Sequence, residues 1–123
     1  MTLTDTFLNA IAGVINGESF TPPSDIGFSS TTITIDGTDT SLPGEFGTRD
    51  SASGSRTLNE TILSAVKTGA TVGSAGERLN SMGLFNASST GDLHSEALVS
   101  SLLHTSAFDV EVDWQINTNR RSN

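Results

Sequence analysis

Phe108-Asp109-Val110-Glu111-Val112-Asp113-Trp114-Gln115-Ile116-Asn117 alternates without a break. Phe108, Val110, Val112, Trp114 and Ile116 fall on one side, and Asp109, Glu111, Asp113, Gln115 and Asn117 on the other. Successive side chains of a strand point to opposite faces, so this segment is a strand with one dry and one acidic, wet face. A sheet covered on one side only is an antiparallel arrangement, as in a β-sandwich.

The chain upstream breaks into short pieces of the same kind. Ile26 to Ile35 is rich in β-branched residues and ends at Asp36-Gly37, a hairpin-type turn signal. Thr38 to Gly54 is turn-rich, with room for a short strand over Glu45 to Arg49. Arg56 to Thr68 reads as a strand bounded by glycines, Thr68 to Gly76 as a flexible loop, and Leu79 to Phe85 as another strand. Ala87 to Asp92 is an exposed loop, after which Leu93 to Leu103 returns the chain and His104-Thr105-Ser106 turns it into the last strand.

The N-terminus has a different period. Phe7, Leu8, Ile11, Val14 and Ile15 form one stripe at helical spacing, with Thr2 or Thr4 as N-cap and Asn16-Gly17 as the stop. About three turns are too short to be stable alone in water, so the stripe docks on the chain's own sheet or on a neighbouring subunit. Thr21-Pro22-Pro23-Ser24 then forces an extended entry. The expected architecture is mainly β: an antiparallel, jelly-roll-like β-sandwich over 19–118, with a short N-terminal α-helix over 1–18 and a polar tail over 119–123.

Composition narrows the function. At 123 residues the chain is one domain with a modest core. Fourteen acids against six bases give a net charge of −8, which repels phosphate backbones and argues against nucleic-acid binding. Only one base, Lys67, is a lysine, and acid excess with scarce lysine suits a salt-rich habitat. There is no cysteine, and no apolar run approaches the ~20 residues that span a bilayer. A soluble chain made in the cytoplasm, without membrane partner, is expected.

Candidate chemistry is sparse. His94 and His104, with Asp92 or Glu96, lack spacing that would force three ligands together, and surface histidines are the plainer reading. No Gly-x-Ser-x-Gly elbow accompanies the many serines. Asp36-Gly37-Thr38-Asp39 resembles part of a calcium loop without its distal glutamate, so it reads as a turn. Gly69 to Gly76 lacks the Lys-Ser/Thr of a phosphate loop. Asn59-Glu60-Thr61 and Asn86-Ala87-Ser88 match a glycosylation triplet that arises often by chance. Arg120-Arg121 belongs to a solvated tail. No catalytic residue, cofactor or metal is expected.

Gly83-Leu84-Phe85-Asn86, then Gly91-Asp92-Leu93, then two strands with a late tryptophan, resembles small structural proteins of tailed viruses and prophages. The Leu-Thr-Asp start (Leu3 to Asp5) and Ile26-Gly27-Phe28-Ser29 fit the same pattern, closely over 79–117 and loosely elsewhere. Gly73 to Arg78 departs from the family's usual turn. The resemblance implies a virion component, made in the host cytoplasm, at the tail tip, baseplate or tail-fibre attachment. With the acidic, lysine-poor surface it suggests a virus of a halophilic archaeon. Expected partners are copies of itself and other virion proteins, through Phe7, Leu8, Ile11, Val14 and Ile15. A capsid decoration protein, or a receptor- or glycan-binding module using loops 36–54 and 87–92, is the alternative.

Overall fold

The computed structural model describes residues 1–73 and 75–118; the tail expected over 119–123, with Arg120 and Arg121, lies outside the described residues. The chain forms β1 (Thr2–Leu3), α1 (Asp5–Ile15), β2 (Asp25–Ser29), β3 (Glu45–Ser51), β4 (Ser53–Thr57), β5 (Glu60–Lys67), β6 (Glu77–Phe85), β7 (Leu93–His104) and β8 (Val110–Asn117). The protein is mainly β: a five-stranded sheet, β1-β7-β6-β2-β3, and a three-stranded sheet, β4-β5-β8, with one short helix. Every strand pair is antiparallel.

The alternation of the last strand does what its period demands. Val112, Trp114 and Ile116 are buried, while Glu111, Asp113, Gln115 and Asn117 are exposed. They share one cluster with Leu63 and Ala65 of their own sheet and with Ile26, Phe28, Leu79, Leu84 and Ala97 of the other. The sandwich is therefore closed by apolar side chains from both sheets, at ~25 cal/mol for each Å² removed from water.

Phe108 departs from this pattern. Strand pairing starts only at Val110, and Phe108 remains 41% exposed beside His104. The preceding turn holds it there: Asp109 Oδ1 accepts from Gly69 N at 2.7 Å and the Phe108 carbonyl bonds His104 Nε2 at 2.9 Å. Ile33 and Ile35, read as the end of the strand from Ile26, lie with Phe85 outside this cluster, in a second small core with Leu42 and Leu93.

The cause is the shortness of β2. Pairing ends at Ser29, whose Oγ accepts from Thr31 N at 3.0 Å and donates to the Pro43 carbonyl, so the chain leaves the sheet before Ile33. The segment 30–44 crosses the sheet's outer face instead. Small residues make that approach possible: Gly83 has Leu93 and Phe85 so close that an added Cβ would lie 2.9 Å from each. Ser81 Oγ tethers the crossing chain to Thr31 O at 2.8 Å.

Arg56 to Thr68 is likewise not one strand. Leu58 and Asn59 form a tight turn between Thr57 and Glu60, with Leu58 in the left-handed region at φ 54. The short strand over Glu45 to Arg49 extends to Ser51. Gly69–Thr71 forms a single 3₁₀ turn within the segment expected to be an irregular loop.

Candidate functional site

Thr4 starts the helix, as its chemistry suggests. Its Oγ1 accepts from Phe7 N at 3.2 Å and donates to Leu93 O at 2.6 Å, and its own amide donates to His94 O at 3.0 Å. Phe7 is buried against His94 and Phe20, with ring centroids 5.1 and 6.1 Å away. Phe20 stacks on the same imidazole at 13° between planes.

Only Phe7 of the five predicted contact residues is enclosed. Leu8, Ile11, Val14 and Ile15 are 50, 38, 44 and 85% exposed. The helix is held by its first turn and by Gly13, which the Glu18 side chain covers, so the described residues cover the aliphatic stripe only in part. Ile11 also borders an apolar hollow of about 260 Å³ with Phe20, Pro22, Pro23, Leu63 and Ile116.

The histidines are not surface residues. His94 and His104 are 1 and 0% exposed and stand at opposite ends of β7. They share no site. Burial pushes the His94 imidazole below its usual range, against the opposing pull of Asp92.

His104 instead belongs to an ionic centre that the sequence reading missed. Lys67, the last inward position of β5 after Leu63 and Ala65, is buried with its Nζ 5.6 and 5.5 Å from the rings of Phe28 and Phe46. Glu77 Oε2 lies 3.6 Å from Lys67 Nζ and 3.7 Å from His104 Nδ1. Asp50, Lys67 and Glu77 line one cavity of about 460 Å³ with Thr48, Thr68 and Thr71. Burial pushes the Asp50 carboxyl up, opposed by the charge of Lys67. Asp50 Oδ2, Glu77 Oε2 and His104 Nδ1 are buried without a hydrogen-bond partner among the described residues. The parity of β5 was the signal: a lysine in register with Leu63 and Ala65 points inward. Phe46, within the turn-rich segment 38–54, stands in β3 against this same lysine.

No protein family, curated protein or solved structure matches the chain. The calcium-like segment Asp36 to Asp39 is a turn docked on β7: Asp36 Oδ1 accepts from Thr38 N at 2.9 Å, and Asp36 N donates to Glu96 Oε1 at 2.9 Å. The Thr38 bonds hold the Asp36 carboxyl below its ordinary value. Among the described residues no group of three or more histidines or acids is arranged to hold a metal, and no helix is long and apolar enough to cross a membrane.

Proposed function

We propose that this chain is a virion structural protein of a tailed virus, assembling into the tail tip, baseplate or tail-fibre attachment through oligomeric contacts. The observation that carries the reading is the exposed stripe of Leu8, Ile11, Val14 and Ile15, 38 to 85% accessible, on a helix clamped to a closed sandwich. A short amphipathic helix gains its stability from burying its apolar face, and here the described residues leave much of that face exposed. Apolar area of this kind, rimmed by polar residues, suits a contact with a second copy or an adjacent virion protein. The net charge of −8 supports assembly in concentrated salt, where repulsion between copies is screened.

The double variant Leu8→Asp/Ile11→Asp tests this, read by size-exclusion chromatography with light scattering. The wild type is expected to form oligomers and the variant a monomer that remains folded by circular dichroism, since Leu8 and Ile11 are both partly exposed. A variant that assembles like the wild type removes the helix as the contact. Location and stoichiometry in purified particles separate a tail part from a capsid decoration protein, and absence from particles refutes both.

A further inference from the structure

The ionic centre has three features that an ordinary surface ion pair lacks. Its base is the chain's one lysine, in a protein whose other five bases are arginines. Arginine cannot lose its proton in a protein, so among these side chains only Lys67 can present a neutral amine. The amine is buried beside two phenyl rings and stands 3.6 Å from a carboxylate oxygen that has no hydrogen-bond partner among the described residues and lies 3.7 Å from His104 Nδ1. A second acid, Asp50, opens into the same cavity with its own buried, unpartnered oxygen.

We propose that Lys67 and Glu77 condense to an intramolecular isopeptide bond, with Asp50 as the proton carrier. The Lys67 ammonium first passes a proton to Glu77 Oε2, leaving a neutral amine beside a neutral carboxylic acid. The amine lone pair then attacks Glu77 Cδ, forming the C–N bond as the carbonyl pair moves onto oxygen. Asp50 takes the proton from nitrogen and delivers it to the departing hydroxyl. The C–O bond breaks, the carbonyl re-forms, and one water leaves through the cavity. The balance is ammonium plus carboxylate to amide plus water, with no oxidant or co-reactant. Asp50 is suited to carry the proton, since its burial favours the protonated acid. Holding both reactants on strands of two packed sheets supplies the proximity such a reaction needs.

The product would join β5 of the three-stranded sheet to β6 of the five-stranded sheet. It is independent of the assembly reading.

Trypsin and mass spectrometry on the full-length protein decide the matter. Arg56, Lys67 and Arg78 are successive cleavage sites, so Lys67 and Glu77 fall within the single stretch 57–78. The denatured wild type is expected to weigh one water less than its sequence, to resist cleavage after Lys67, and to yield 57–78 as one internally bridged peptide. Lys67→Arg is expected to restore the full mass, and Asp50→Asn to slow the loss of water in a protein that remains folded by circular dichroism. Full sequence mass in the wild type, with separate peptides 57–67 and 68–78, overturns the proposal whatever the variants do. So does a water lost elsewhere, as at Asp36-Gly37, or a lysine linked to Asp50 in place of Glu77. Unchanged condensation in Asp50→Asn removes Asp50 as the proton carrier.

Discussion

Glu96 offers the sharpest test of the packing on the outer face. None of its surface is exposed; Oε1 accepts from Asp36 N at 2.9 Å, and Oε2 has no partner among the described residues. Burial, reinforced by Asp39, raises its carboxyl from 4.5 to about 7. For an acid whose folded value exceeds the unfolded one, the native state binds more protons. Stability is then greatest below the unfolded value and falls as pH rises through the folded value. At about 1.4 kcal/mol for each pH unit between the two, ionised Glu96 costs about 3 kcal/mol above neutrality. Glu96→Gln keeps the acceptor for Asp36 N, adds an N–H toward Asp39 and cannot ionise. Its stability relative to wild type is expected to be near zero around pH 4 and about +3 kcal/mol around pH 8. Urea unfolding followed by Trp114, the only tryptophan and 3% exposed, reads this as a midpoint shift of about 1–3 M. Parallel pH profiles for the two proteins, or a variant weaker than wild type near pH 8, would refute the assignment.

Two further substitutions probe the cores. Trp114→Ala empties the centre of the sheet interface and is expected to cost about 3–5 kcal/mol in urea unfolding followed by circular dichroism; a cost below 1 kcal/mol would place the core elsewhere. Arg49 pairs with both Glu45 oxygens at 2.7 and 3.0 Å, donates to Ala87 O and Thr90 O at 2.9 and 2.7 Å, and lies 3.4 Å over the Phe85 ring. Arg49→Ala is expected to destabilise by about 2–3 kcal/mol, and Arg49→Lys to recover little, because an ammonium has no planar fork to meet these partners. Equal stability of Lys and Arg at this position in denaturant titrations would contradict that geometry.

Where one local pattern dominated, the chain announced its structure. Val110 to Asn117 and the Thr4-capped helix were legible because period 2 and period 3.6 each persisted over several residues. Ile33 and Ile35 misled because β-branched residues suit any enclosed surface, and a serine at position 29, not a glycine or proline, ended the strand. The hairpin at Leu58 was hidden for a related reason: leucine seldom takes a left-handed turn, so no Asn-Gly or Asp-Gly marked it. The ionic centre was written only in the parity of β5, where Lys67 follows Leu63 and Ala65. Its partners come from three other strands, and no spacing in the chain places Asp50, Glu77 and His104 around it.

Ala52 is the only residue between β3 and β4, and its amide is tied to Ser24 O at 2.8 Å. A single run of extended backbone thus begins as the border of one layer and finishes as the border of the other. Tension applied at either border reaches the opposite layer through covalent bonds, without relying on shear resistance between greasy surfaces. Under load, that seam couples the yielding of one layer to the yielding of the other.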